Sequence, residues 1–530
     1  MPTSADHPTP SIWGPLKIPA FRNLLIADIV SDVGAFMQTV GAAWLMVSLN
    51  AGPMYVALTQ TAAALPFFLF ALPAGAIGDI VDRRKLILFT ETWMVLVALF
   101  LAGLTLAGLM SPVMLLILTF ALSAGDAFES PTWRAVLPEL VPKKDLAAAA
   151  ALNGIEFNFA RAIGPALAGI LIAAAGVGTA FLVNAASFIG VIIVIARWKR
   201  AAHKRTTPRE TVIGAMIAGI RYVRYSPAIR ALMFRSGCVM FFASGLLALL
   251  PSISHHVKDS PVVYGLLLGC FGLGAVLGAL LLQPVRARLS TEAVVSGGII
   301  VFGLSSAAAG SLHTLPALSI AVLIGGAAWL VFISLFNVFI LNLTPDWVRA
   351  RVLAVFLLVF QGAVAAGSAV WGALAGRIGI HDVLLWAGVG TIATAVAGLF
   401  LPLPKLNIDV TPWIHWPMPR IVNGADATDA DDIGPILVTA EYDVIPEKTS
   451  EFLDAMHKYG RIRRRDGALR WGVFRDLETE SRYIETFIVH SWAEHLRQHE
   501  RFTQADREIE GRLQSYTRSQ PRVRHLVTAT

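Results

Sequence analysis

Gly75-Ala76-Ile77-Gly78-Asp79-Ile80-Val81-Asp82-Arg83-Arg84-Lys85 joins two apolar runs, 54–78 and 86–110. Each flank has the length of about 20 residues that crosses the hydrocarbon of a bilayer. The turn between them crowds Asp79, Asp82, Arg83, Arg84 and Lys85 together. So much charge is costly in lipid, so the turn marks a water-facing edge between two spans.

The same alternation of apolar run and short polar turn continues on both sides. The runs lie at 21–49, 54–78, 86–110, 112–133, 147–175, 178–196, 229–255, 262–284, 291–312, 315–341, 350–377 and 383–403. With 55% hydrophobic and 15% charged residues over 530 positions, and a mean hydropathy of +0.64, most of the chain belongs in lipid. Basic residues fall in alternate turns: Arg83, Arg84 and Lys85; Arg134, Lys143 and Lys144; the segment from Arg197 to Arg209; Arg286 and Arg288; Arg349 and Arg351. The intervening turns hold little beyond Lys258 and Arg377. The positive-inside bias then predicts a multi-pass protein of the bacterial inner (plasma) membrane with both termini cytoplasmic. A net charge of +7 spread this way acts as an orientation signal and excludes nucleic acid as a partner. Cys238 and Cys270 both sit inside apolar runs, so neither a disulfide framework nor a zinc ribbon is expected.

The basic segment divides the runs six and six, and 212–225 within it has the spacing of an amphipathic helix at the membrane surface. One gap-free register pairs Gly34 with Gly237, Gly75 with Gly278, Arg83 with Arg286, Leu140 with Leu343, Pro142 with Pro345, Gly164 with Gly367 and Gly169 with Gly372. Two structural repeats meeting at a central cavity follow. After residue 404 the pattern changes. A linker, 405–434, carries Pro412, Pro417 and Pro419 and then an acidic run. From 435 onward, alternating strands at 436–445, 469–476, 482–490 and 522–528 interleave with helical spacing at 448–464 and 493–513. That order, β-α-β-β-α-β, is ferredoxin-like. The expected fold is therefore an α-helical membrane protein, with twelve transmembrane helices in two six-helix repeats plus a C-terminal ferredoxin-like α+β domain. Its parts are a cytoplasmic tail (1–20), the two halves (21–197 and 229–404), a central cytoplasmic loop (198–228), the linker and a cytoplasmic domain (435–530) that folds on its own strands.

Acids lie inside the runs, where an uncompensated carboxylate costs a few kcal/mol and marks a pathway or a proton relay. Asp28 and Asp32 share a face of the first run, Asp126 lies in the fourth, and Glu156 lies in the fifth with Arg161 just beyond it. Asp32 is about eleven residues in from the cytoplasm, roughly 16 Å deep. These five are the candidate proton-coupling groups. Glu91, in the third run, lies nearer the basic turn and reads as structural. The register mate of Asp32 is Arg235, a candidate partner or a plain cytoplasmic-end arginine. No Gly-x-x-x-x-Gly-Lys-Ser/Thr phosphate loop occurs, so an ion gradient rather than ATP is the expected drive, and no cofactor is expected.

The stretch 75–85 resembles the major facilitator signature, with Ile80 where an Arg is usual and Asp82 where a Gly is usual. The resemblance implies a cytoplasmic gate latch built from Gly75, Asp79, Arg83 and Arg84, with Glu129 of the fourth run grouped with it. The run Arg161-Ala-Ile-Gly164-Pro165-Ala-Leu-Ala-Gly169 looks like the Gly-Pro motif of drug–proton antiporters, with Ala at two usual Gly positions. Its plain physical reading is close helix packing through small residues. The phrasing of 126–187, including Leu137-Pro138-Glu139-Leu140-Val141-Pro142 and Asn184-Ala-Ala-Ser187, is similar to the enterobactin-exporter-like, transmembrane secretion effector branch. That branch implies efflux of an amphipathic small molecule, such as a drug, siderophore or secondary metabolite, by alternating access and proton antiport. In the tail, Trp492-Ala-Glu-His495 after a strand looks like an antibiotic-biosynthesis-monooxygenase-type domain, which implies dimerisation through the sheet. His495 and His499 share a helix face, but no third ligand is evident and no metal is expected. The rival expectations are a fused enzyme–transporter and a non-transporting membrane sensor.

Overall fold

The structure, a computed structural model, describes residues 13–198, 212–398, 402–403, 409–413 and 433–527. The tail up to residue 12, the basic residues from Lys199 to Arg209, and the linker positions Trp416, Pro417, Pro419 and 426–432 lie outside the described residues. So do the side chains of Asp79, Arg134 and Lys143.

Twelve helices among the described residues are long and apolar enough to cross a membrane. The first six are α1 (Pro19–Ser48), α2 (Gly52–Ile80), α3 (Arg83–Leu106), α4 (Pro112–Leu140), α5 (Leu146–Ala175) and α6 (Val177–Arg197). The amphipathic α7 (Val212–Tyr225) follows. The second six are α8 (Pro227–Val257), α9 (Pro261–Arg286), α10 (Thr291–Ser311), α11 (Leu315–Asn342), α12 (Asp346–Ile378) and α13 (Ile380–Ala397). Only helices satisfy every backbone group within the segment itself, which is why apolar runs of this length take this form. Their outward faces carry exposed Phe89, Phe100, Ile117, Leu280 and Trp386, the surface expected against lipid. In the first half α1 packs on α5 and α6, α2 on α4, and α3 on α6; in the second α10 packs on α13, and α5 joins the halves by packing on α9. Asp82, the residue that stands where a Gly is usual, caps α3: its side chain accepts from the Lys85 amide at 3.1 Å.

The C-terminal domain is a four-stranded antiparallel sheet of β1 (Ile436–Asp443), β2 (Arg470–Arg475), β3 (Arg482–Val489) and β4 (Arg522–Val527), in the order β2-β3-β1-β4. Alternation sends Ile436, Val438, Ala440 and Tyr442 inward from β1, and Tyr483, Glu485, Phe487 and Val489 inward from β3. They pack beneath α14 (Thr449–Asp466), whose Phe452, Met456 and Tyr459 are buried. Glu485 is an acid in this core, fully buried. It accepts from the Trp471 indole at 2.9 Å, the Tyr442 hydroxyl at 3.1 Å and the Arg463 guanidinium at 3.3 Å.

Two expectations about this region change. The single helix expected over 493–513 is two: α15 (Trp492–Arg501) and α16 (Gln504–Gln514). The break is held by a capping box, in which the Thr503 hydroxyl accepts from the Asp506 amide while the Asp506 carboxylate accepts from the Thr503 amide. Residues 409–413 cross the break, with the Trp413 amide donating to the Phe502 carbonyl at 2.8 Å and the Gln504 amide to the Thr411 carbonyl at 3.0 Å.

The second change concerns α7. The expected membrane-surface helix gives its inner face to protein instead: Ala218 and Tyr222 are buried, and α7 packs on α14. Tyr222 meets the Trp347 ring edge-on at 5.7 Å and carries the Arg465 guanidinium at 5.3 Å, while Arg221 pairs with Glu494 at 3.2 Å. Arg501 stacks on Trp347 at 4.5 Å. Only the opposite face, with exposed Ile217 and Ile220, is left for lipid. The domain therefore shares an interface with α7 and the start of α12 that its own strands did not announce. Tyr222→Ala in the full-length protein should raise amide exchange in α7 and α14 while leaving the helical signal unchanged. Unaltered exchange would mean that the ion pairs alone hold this contact.

Candidate functional site

Helical periodicity places Asp28 and Asp32 one turn apart on the same face of α1. That face opens on a cavity of about 680 Å³, which Glu91 of α3, Asp126 and Glu129 of α4, and Glu156 of α5 also line. Asp32 and Glu156 line it together, as do Glu91 and Glu129. Carboxyl groups gathered on one cavity inside the membrane-spanning region are the groups able to bind and exchange a proton there. Thr90 donates to Glu129 at 2.5 Å. Glu91, Glu129 and Glu156 are buried, and Glu91 Oε2 and Glu156 Oε1 have no hydrogen-bond partner. Arg161 lies over the ring of Phe157, a cavity residue, at 4.7 Å.

The candidate coupling residues Asp28, Asp32, Asp126 and Glu156 thus come together on one cavity with Arg161 beside it. Glu129, grouped in sequence with the gate motif, also lines this cavity, and Thr90 of α3 donates to it. Glu91, which reads as structural in the sequence, is a cavity residue too. A signal for it existed: Ile87, Thr90, Glu91, Met94, Ala98 and Leu101 form the buried stripe of α3, so Glu91 had to face another helix. Of the gate motif, Gly75 and Asp79 fall at the end of α2, and their side-chain environment lies outside the described residues. Arg83 pairs with Glu139 at 2.6 Å, and Arg84 donates to the carbonyls of Ile195, at 3.1 Å, and of Ala196, tying the α3 start to the α6 end. Arg235 pairs with Glu292 at 2.7 Å and donates to Ser296 at 3.1 Å, so the acid of α10 and not Asp32 takes it.

The Gly-Pro stretch of α5 is a close-approach surface on two sides. A Cβ on Gly164 would stand 2.7 Å from Phe36 Cβ on α1, and one on Gly169 would stand 2.8 Å from the Pro261 carbonyl at the start of α9. Pro165 contributes its carbonyl, which lies where a Cβ on Gly265 would sit.

In the C-terminal domain His495 is buried among Trp492 (ring centroids 5.5 Å apart), His499 (4.7 Å) and His525 (4.7 Å). The Nε2 atoms of His495 and His499 are 3.2 Å apart. No group of three or more His, Cys, Asp or Glu suited to a metal occurs among the described residues. Burial, followed by the neighbouring His499 and His525, pushes His495 down to about 3. Between its ordinary value near 6.5 and about 3, the unfolded chain binds a proton that the folded domain refuses. Stability therefore rises with pH through that window and is lost on acidification, at up to about 1.4 kcal/mol per pH unit. His495→Gln should flatten that slope in acid unfolding of the full-length protein, followed by tryptophan fluorescence; an unchanged slope would assign it to other groups.

Comparison with known proteins bears on the whole chain. The profile of a family described as "Transmembrane secretion effector" matches residues 10–530. The chain is 25% identical over 415 residues to "Multidrug efflux pump Tap" of Mycolicibacterium fortuitum, covering 75% of this chain and 98% of the pump. It is 23% identical to "Staphyloferrin A transporter" of Staphylococcus aureus, covering 70% and 93%, and 25% identical to "Enterobactin exporter EntS" of Escherichia coli, covering 54% and 69%. Among solved structures, the nucleoside transporter NupG superposes with a TM-score of 0.56 at 12% identity, covering 73% of this chain and all of NupG. A POT family transporter in complex with 5-aminolevulinic acid superposes at 0.59 with 14% identity, covering 73% of this chain and 97% of the transporter. At these identities the superpositions speak for the fold alone.

Proposed function

Because the chain belongs to the transmembrane secretion effector family of major facilitator transporters, and is a multi-pass membrane transporter and not an enzyme, we propose that it exports an amphipathic small molecule in exchange for protons. The single observation that carries this reading is the cavity between the halves, which Asp28, Asp32, Glu91, Asp126, Glu129 and Glu156 line together. A buried carboxyl group that opens to one side and then the other binds and releases a proton according to the pH it meets. The names of the relatives, a multidrug efflux pump, a Staphyloferrin A transporter and an enterobactin exporter, support efflux of a small molecule. Alternating access follows from two six-helix repeats rocking about the α5–α9 contact. Both termini lie in the cytoplasm on this reading, since the even turns hold the basic residues. The C-terminal domain pairs with a second copy through its sheet.

The test is a counter-flow screen in proteoliposomes. Exchange of a labelled drug or siderophore carries the reading, whereas ligand binding without exchange of any compound would make the chain a sensor. The gate motif is part of the same proposal. Asp79→Asn should abolish most transport at unchanged expression, because the motif's charge latch is lost while packing is untouched; wild-type flux in that variant would remove Asp79 from the mechanism.

A further inference from the structure

The charge of the cavity is one-sided. Asp28, Asp32, Glu91, Asp126, Glu129 and Glu156 face it, and no lysine, arginine or histidine is among its lining residues in the described part of the chain. Arg161 is the cation held beside it, and it is engaged over Phe157. Six carboxyl groups against one neighbouring guanidinium leave negative charge to be met from the lumen. Polar atoms wait there without partners: Glu156 Oε1 and Glu91 Oε2, and the Gln38 amide Nε2, on a residue only 4% exposed. Buried polar atoms are rarely left so unless something else satisfies them. Aromatic side chains line the same cavity: Trp133, Phe157, Phe188 and Tyr264.

We propose that the cavity takes an amphipathic organic cation, its charged head received by Asp32 and Glu156 and its apolar body by Trp133, Phe157 and Tyr264. An ammonium supplies N–H donors to carboxylate oxygens that have none and neutralises charge that the protein leaves unpaired. Ring faces beside the head add cation–π attraction. An anion of the same shape meets the like charge of the acids, a juxtaposition that costs several kcal/mol. This inference names the substrate class of the transport reading and rests on that reading.

The experiment uses the full-length protein in detergent, with two probes of one shape and opposite charge: tetraphenylphosphonium and tetraphenylborate. Wild-type protein should bind the cation at least about tenfold more tightly than the anion. Asp32→Asn combined with Glu156→Gln should erase that preference, while Asp259→Asn, which removes an exposed acid outside the cavity, should retain it. Equal binding of the two probes by the wild-type protein overturns the inference without recourse to any variant, as does an unchanged preference in a double variant that still elutes as a folded monodisperse species. Counter-flow separates this from failure of the transport reading. Exchange of only anionic or neutral compounds keeps transport and sinks the cation, whereas selective cation binding with no exchange of any compound sinks transport and leaves the cation site standing.

Discussion

Asp32→Asn is expected to abolish uphill, gradient-driven efflux while sparing downhill counter-flow. The carboxamide keeps the size and most of the hydrogen bonding of the carboxyl group, so the packing of α1 survives. What it loses is the ability to take up and release a proton. Glu156 remains to receive the substrate, so it can still bind and the halves can still rock, but no proton returns with the empty carrier, and substrate accumulates only to equilibrium. Reconstituted protein with an imposed pH gradient reads this directly. If Asp32→Asn still concentrates substrate with normal pH dependence, Asp32 is a structural polar contact and Glu156 or Asp126 becomes the coupling group.

Gly265→Val should be as damaging for a different reason. A Cβ at Gly265 would run into the Pro165 carbonyl oxygen and stand 3.0 Å from Gly169 Cα, both backbone atoms of α5 that cannot swing aside. Separating α5 from α9 to make room opens the contact that joins the two halves, and overpacking of this kind costs about 1–3 kcal/mol or more. Loss of transport with a lowered melting temperature is the expected result. Gly269→Ala, one turn along, is the control, since its Cβ would reach the Ala162 carbonyl at 3.7 Å, an ordinary contact. Wild-type flux from Gly265→Val would mean that α5 and α9 do not need this approach at any stage of the cycle.

What is legible in the sequence depends on local information. Run length and the charge of the turns place twelve spans, because hydrocarbon thickness and the cost of charge act on each segment separately. Alternation in 436–443 and 482–489 likewise exposes the sheet, since each strand has only one face to bury. Partner choice is less legible. In sequence Glu129 groups with the gate and Glu91 with structure because both lie toward the cytoplasmic turns, but the rotation of α3 and α4 about their axes, set by packing, turns both to one cavity. Arg235 finds Glu292 for the same reason: depth is readable along one helix, and azimuth against a neighbour is not. The buried face of α7 misleads in another way. An amphipathic helix next to a membrane carries the same pattern whether lipid or protein covers it, and only Trp347 and Arg465, distant in sequence, distinguish the two.

Whether a proton gradient drives export through the carboxyl-lined cavity is decided by uphill transport in proteoliposomes of uniform orientation. With the cytoplasmic face at higher pH than the opposite face, labelled substrate should move out of the cytoplasmic compartment against its own gradient, and collapsing the pH difference with nigericin should return it to equilibrium. Accumulation that is unaffected by the ionophore, or that persists when Asp32 and Glu156 are both replaced by their amides, would contradict proton-driven export through this cavity.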